Sequence, residues 1–240
     1  MKTIKITILF LAVVSLTACN FDLHLGQVNG NGNVITEERP VHSDFDQVKG
    51  SAGIDVYLTE GDEFKIVVEA DENLVPLIET EIHNGRLNIT STKNIGRAKA
   101  KKVHVTYKTL SAVYASSGAD VIGNSVIKSE TLILKSSSGA DLEVDIIAKE
   151  VFADVSSGAD LKISGRAMRL TAEASSGSDL KAKDLEVKYC KARASSGADI
   201  VVNVKEEMEG KASSGGDIRY YGNPTAVSVK DGSSGSVRKM

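Results

Sequence analysis

Ser116-Ser117-Gly118-Ala119-Asp120 recurs as Ser137-Ser138-Gly139-Ala140-Asp141, Ser156-Ser157-Gly158-Ala159-Asp160 and Ser195-Ser196-Gly197-Ala198-Asp199. Two variants, Ser175-Ser176-Gly177-Ser178-Asp179 and Ser213-Ser214-Gly215-Gly216-Asp217, fall in the same series. A worn copy from Ser233 to Ser236 reaches Val237 where the aspartate should stand. The six aspartates lie 21, 19, 19, 20 and 18 residues apart. A fixed period near twenty marks a stack of like units, each burying its core only against its neighbours.

Aligned on the first serine, the residues one, three and five places before it are apolar or small. Leu134, Ala153, Ala172 and Ala192 stand three before; Leu132, Val151, Leu170 and Cys190 stand five before. Lys135, Asp154, Glu173 and Arg193 lie between them. After the tag the inward positions are Leu142/Val144, Leu161/Ile163, Leu180/Ala182, Ile200/Val202 and Ile218/Tyr220, with Glu143, Lys162, Lys181 and Arg219 outward. A period of two with one dry face is a half-buried strand. Each repeat is therefore strand, glycine corner, strand and a variable connection.

Stacking such units gives an all-β fold, a single-stranded right-handed parallel β-helix with repeats of 18–21 residues. The uneven length and the lack of a hexapeptide signature argue against a strict left-handed prism. An antiparallel meander or sandwich is the alternative, and the scarcity of Asn-Gly and Asp-Gly turns counts against it. Upstream, 53–58, 64–69, 86–90 and 103–107 read as strands, and Pro76 limits a helical turn near 71–78. Ser51-Ala52-Gly53-Ile54-Asp55 is a degenerate tag, and the 65 residues from Asp55 to Asp120 suit three further rungs. One domain is expected over 28–240, with irregular rungs at 28–110 and regular ones at 111–240.

The first eighteen residues read as an export signal rather than fold. Lys2 and Lys5 precede a short apolar run from Ile6 to Leu16, and that run is shorter than the roughly 20 residues that span a bilayer. Leu16-Thr17-Ala18-Cys19 matches a bacterial lipobox, which makes Cys19 the acylated first residue of the mature chain, with 19–27 as a tether. Asn20 is not the aspartate that signals inner-membrane retention, so the expected address is an outer-membrane lipoprotein, facing periplasm or exterior. Without residues 1–18 the charge is 27 cations against 32 anions, or −5. Such a surface is unsuited to nucleic acid. Only Cys190 then remains as a thiol, so no internal disulfide can form.

Further motifs accompany the tags: Gly30-Asn31-Gly32-Asn33-Val34, Glu38-Arg39-Pro40, Phe45-Asp46, Gly53-Ile54-Asp55-Val56, Gly61-Asp62 and Glu69-Ala70-Asp71-Glu72-Asn73. With them the chain resembles the head GIN domain family of auto-transporter adhesins, exported bacterial lipoproteins, over essentially its whole mature length. The resemblance implies a right-handed β-helix and brings no catalytic residues.

The repeated residues read first as architecture. Gly118, Gly139, Gly158, Gly177, Gly197 and Gly215 supply a positive-φ corner, and the serines bond the turn backbone or form a hydroxyl ladder. Asp120, Asp141, Asp160, Asp179, Asp199 and Asp217 would stack in one column. Carboxylates ~4.8 Å apart repel by ~0.9 kcal/mol per pair even in water, so something must offset them. Turn N–H groups and serine hydroxyls are the first expectation, a bridging Ca²⁺ the second, and a bound ligand the third. No cofactor, metal site or catalytic residue is assigned. A polysaccharide-acting enzyme is the remote alternative, because the chain has no Trp and no rung breaks the pattern as a catalytic site would. Cys190 falls on an inward column and reads as core. The function expected is a non-enzymatic envelope scaffold acting as an adhesin or surface-binding module, with a glycan or protein as ligand. A purely structural envelope protein is the alternative.

Overall fold

Residues 26–232 and 234–240 are described by the computed structural model. The expected acylation site Cys19, the expected export signal at 1–18 and most of the expected tether lie outside these residues. Among the described residues seventeen strands follow one another: β1 (Val34–Arg39), β2 (Gln47–Gly50), β3 (Asp55–Glu60), β4 (Lys65–Asp71), β5 (Ile78–His83), β6 (Arg86–Ser91), β7 (Lys101–Tyr107), β8 (Ala112–Ser116) and β9 (Asp120–Gly123). Then come β10 (Ile127–Ser137), β11 (Asp141–Ser156), β12 (Asp160–Ser175), β13 (Asp179–Ser195), β14 (Asp199–Ala212), β15 (Asp217–Tyr221), β16 (Ala226–Asp231) and β17 (Ser236–Lys239). The expected helical turn is a single 3₁₀ turn at Val75–Leu77.

From β8 onward every pairing is parallel, and through β15 the tags stand in register. Leu132 lies opposite Val151, Val151 opposite Leu170, Leu170 opposite Cys190, and Cys190 opposite Met208. All five are buried, as are Leu142, Leu161, Leu180, Ile200 and Ile218 on the other side of the tag. The fold is a parallel β-solenoid with two walls. Segments after the tag make wall one; those before it make wall two. The strands flanking a corner, such as β8 and β9, pair with their counterparts in adjacent rungs rather than with each other.

The second corner is a break in the strand at 124–126 and 222–225, as expected from the sequence, but not in the rungs between. Strands β11, β12 and β13 run unbroken through it. In β11 the buried side chains change parity there, from Leu142, Val144 and Ile146 to Val151, Ala153 and Val155. The strand bends between them, and unequal rung lengths are absorbed as register shifts at 162–165, 182–186 and 187–189. Gly165 shows how tight the bend is: a Cβ there would stand 2.1 Å from the Ile146 carbonyl oxygen.

The N-terminal third departs from expectation. Asp55 is not three rungs from Asp120 but directly opposite it, with β2 and β3 stacked on β8 and β9. The intervening residues leave the stack and return. Strands β6 and β7 lay a further rung on the outer side of β2 and β3. Strand β5 then pairs antiparallel with β6, and β4 sits antiparallel between β7 and β1. The hairpin β5–β6 turns at Asn84-Gly85, where φ is 51° and 75°, the pattern of a type I′ turn. Antiparallel strands thus finish the stack at this end.

Candidate functional site

The tag corner is a two-residue turn in which serine and glycine share the left-handed conformation. At the second serine, or at Ala52 in the degenerate copy, φ lies between 52° and 59°; at the following glycine it lies between 66° and 78°. The sequence assigned positive φ to glycine alone. Ala119 N–H closes the turn on the Ser116 carbonyl at 3.2 Å, and Gly216 does so on Ser213 at 2.9 Å. A Cβ at Gly118, Gly139, Gly158, Gly177 or Gly197 would meet nothing within 4 Å, so φ alone selects glycine there. The next residue points inward: Ala119, Ala140, Ala159 and Ala198 are fully or nearly fully buried, so a narrow corner takes small side chains. Ser178 fills the same slot by bonding the Val155 and Ser175 carbonyls.

Successive corners are stapled together through backbone. Gly118 N–H donates to the Ser138 carbonyl, Gly139 to Ser157, Gly158 to Ser176, Gly177 to Ser196 and Gly197 to Ser214. The aspartate N–H groups donate the other way, to the preceding rung, Asp141 to Ala119 and Asp160 to Ala140. Turn donors therefore run along the stack axis and are spent on the neighbouring rungs, glycine on the following one and aspartate on the preceding one.

The carboxylates form a column of seven. Asp55, Asp120, Asp141, Asp160, Asp179, Asp199 and Asp217 are opposite one another in order. Lys102 stands before Asp55 and Ser236 after Asp217. The worn tag thus sits one residue earlier than its Ser-Ser-Gly suggests. Gly232 takes the first-serine place, its N–H on the Ala212 carbonyl, and Ser236 rather than Val237 replaces the aspartate. The column faces solvent. Asp120 and Asp141 are exposed, and the Asp160 side chain keeps 48% of its surface.

The offset to their repulsion differs from the expected one. Among the described residues the only serine hydroxyl donating to a column aspartate is that of Ser236, to Asp217. Cations two places further along the strand do the work instead, reaching back one rung. Lys181 Nζ lies 3.3 Å from Asp160 and 3.5 Å from Asp179, and Arg219 lies 3.1 Å from Asp199. The same reach fails earlier in the column: Lys162 is taken by Glu143 at 2.7 Å. Burial, and then repulsion from Asp55, raises the Asp120 carboxyl above the usual range. Burial, then Asp120 and Asp160, raises Asp141; burial raises Asp55 against the pull of Lys101 and Lys102. Among the described residues no group of three or more His, Cys, Asp or Glu is arranged to hold a metal ion.

One residue the sequence reading passed over organises the other end. Asp71, fully buried, accepts N–H bonds from Ala100 at 3.0 Å, Lys99 at 2.7 Å and Gly32. Those donors, Ala100 foremost, hold its carboxyl below the usual range. Around it Asn73 accepts from Asn31 N–H and donates to the Asn29 carbonyl, while Asn33 reaches Glu72. Gly30 has no room for a side chain, since a Cβ would lie 2.5 Å from Asp71 Cγ. The motifs at 30–34 and 69–73 are two halves of one clasp.

Over most of the solenoid the chain matches a known family. The model described as "Putative auto-transporter adhesin, head GIN domain" covers residues 44–224. The chain belongs to that family. No curated protein matches it. A structure described as a putative adhesin from Bacteroides fragilis is 18% identical, with a TM-score of 0.83 over 89% of this chain and 100% of that one. One described as a putative adhesin from Parabacteroides merdae is 20% identical, TM-score 0.71, over 90% and 99%. A third, described as a putative lipid binding protein from Parabacteroides distasonis, is 20% identical, TM-score 0.67, over 89% and 99%. At these identities the likeness is one of fold. Head GIN relatives are named for adhesion or binding rather than catalysis. Cys190 is buried in the core of this head GIN domain, its thiol pushed up to about 12 by burial, where it is inert toward neutral-pH thiol chemistry.

Proposed function

We propose that this head GIN chain is an exported lipoprotein, held at the outer membrane by acylated Cys19, that binds a surface ligand along its aspartate edge. The observation that supports it is exposure. A stack that used its tags only for architecture could bury them in the corner, whereas here a straight row of carboxylates and αL serines borders wall one. Residues repeated at the rung spacing of ~4.8 Å suit a ligand that is itself repetitive, such as a glycan or an extended protein segment. Carboxylates accept hydrogen bonds from hydroxyls and amides, and Asp120 and Asp141, which are exposed and which no cation reaches as Lys181 and Arg219 reach Asp160 and Asp199, have acceptors to spare.

Two experiments test this reading. The purified chain is screened against glycans and matrix proteins beside an Asp120→Asn/Asp141→Asn/Asp160→Asn variant, and a deletion strain is tested for adherence. Binding lost in a variant that melts as well as the parent supports the aspartate edge. Equal binding by both proteins sinks it, and no binding together with normal adherence favours a structural envelope role. Cys19→Ser should move the protein from the membrane to the soluble fraction. Its retention in membranes would overturn the anchor.

A further inference from the structure

Away from the two ends of the stack, three large apolar side chains stay exposed among the described residues: Ile147, Phe152 and Met168, at 37%, 44% and 47%. Phe152 lies on wall two, opposite Ile133 and Thr171. Ile147 and Met168 lie at the second corner, where β11 and β12 bend. Strict alternation of buried and exposed side chains needs a straight strand. It fails in the bend, so that Ile147 to Glu150 all keep some exposure. The column that holds Ile147 is otherwise polar there, with Lys128 on one side and Arg166, then Glu186, on the other. Between the bends lies a cleft of about 240 Å³. Ile147 and Met168 wall it, and the buried Ala167 and Val187 lie beneath. Its apolar lining is aliphatic, without a ring.

The cations around this cleft are paired across rungs. Lys149 meets Glu130, Arg169 meets Glu150, Lys188 meets Glu206 and Lys205 meets Glu186. Arg166 is the exception: among the described residues it makes no ion pair. Glu186, the carboxylate opposite it, is held by Lys205 at 3.1 Å. Asp145 shares with Arg166 and Ile147 a second cleft, of about 290 Å³, without pairing with the guanidinium. A guanidinium carries five N–H donors in a planar fork that fits a carboxylate edge to edge. At Arg166 that fork stands at the mouth of an aliphatic cleft with no anion on it.

We propose that the second corner binds a free aliphatic carboxylate of medium chain length, its head on Arg166 and its chain along Ile147 and Met168 over Ala167 and Val187. Charge selects the head. The one unpaired cation calls for a single anion, and Lys188 and Glu186 at the same cleft are already matched within the protein. Asp145 repels an anion from the second cleft, so the chain lies on the Val187 side. Lining selects the tail. Sugars and bases are held by aromatic faces, and none is present, whereas branched and thioether side chains suit an alkyl chain. The inference is independent of the aspartate edge, which borders the first corner.

Photolabelling reads the site directly. The full-length chain, in vesicles of uncharged phosphatidylcholine, is illuminated with dodecanoate that carries a terminal diazirine, and the labelled residues are mapped by mass spectrometry. The expected label is saturable, falls on the cleft around Ile147 and Met168, and is displaced by dodecanoate but not by dodecanol. Arg166→Gln should weaken it about tenfold at unchanged melting temperature, the scale of a lost charge-assisted bond. Lys205→Gln frees Glu186 to take Arg166 and should weaken it too, while Lys188→Gln, whose cation serves Glu206, should leave it unchanged. Absence of label at the cleft would overturn the proposal. So would equal labelling of the parent and Arg166→Gln, or displacement by dodecanol as effective as by dodecanoate, since either would leave only an unspecific apolar contact. Label that appears only once anionic phosphatidylglycerol is added to the vesicles would overturn it as well, and would make the corner a membrane contact.

Discussion

Asp141 is the residue at which the column is least balanced. Its carboxyl is raised by burial and by Asp120 and Asp160, so its protonated form is favoured by folding. The stability this gives is present below the carboxylate's unfolded pKa and lost as pH rises through the folded one. At pH 7 the charge is therefore a cost, and Asp141→Asn should stabilise the domain by ~0.5 kcal/mol, the scale of exposed charge pairs. The gain should fade near pH 3, and thermal melts at the two pH values decide it. Asp160→Asn, which removes a partner of Lys181, should bring no such gain. The corner makes a second contrast. Gly158→Val places a β-branched side chain at φ 68° and should cost more than the roughly 1–2 kcal/mol typical of a left-handed L-residue. Ala159→Ser should cost less than 1 kcal/mol, the scale of one bond made for one lost, because Ser178 already shows how a serine is satisfied in that slot. Urea melts that rank the two the other way would break the account of the turn.

A single rung is held by its inward aliphatics, and the outward charges add little. Leu161 is fully buried, so Leu161→Ala should cost ~2–5 kcal/mol through the cavity it leaves. Lys162 forms one exposed ion pair with Glu143, so Lys162→Ala should cost little. Equal effects in chemical denaturation would mean that the register is wrong. This register was legible in the sequence because both strand parity and the tag repeat are strict, and Cys190 could be placed in its column from spacing alone. The N-terminal excursion was not. Spacing counts residues along the chain, and it cannot show that β4 and β5 turn back antiparallel while Asp55 keeps its place against Asp120. The hairpin signal was there at Asn84-Gly85, one instance among turns of another kind. The column's charge balance was hidden for a similar reason, since Lys181 and Arg219 act on the rung before their own. Asp71 looked like any surface aspartate, and only the fold shows three backbone N–H groups from two distant segments converging on it.

For the molecule as a whole, cations already present in the chain neutralise the later part of the column, and Ca²⁺ is not needed there. Ca²⁺ should raise the melting temperature no more than an ionic-strength control does. A ligand held at a hundredfold excess over its Kd would add ~2.7 kcal/mol, a shift of a few degrees for a domain this size. A saturable rise of that kind, abolished by EDTA, would turn the aspartates into a metal site. The position of β2 and β3 within the stack has a consequence for assembly. Each is flanked on one side by strands that precede residue 108 and on the other by strands that follow residue 111. A chain delivered N-terminus first can close β2 on β6 and β3 on β7 before the regular repeats arrive. The completed module then offers one vacant edge of fixed register, on which β8 and β9 settle, and each later rung settles on the one before. Growth from a seed in a single direction replaces a search among near-identical repeats, any of which could otherwise pair out of turn.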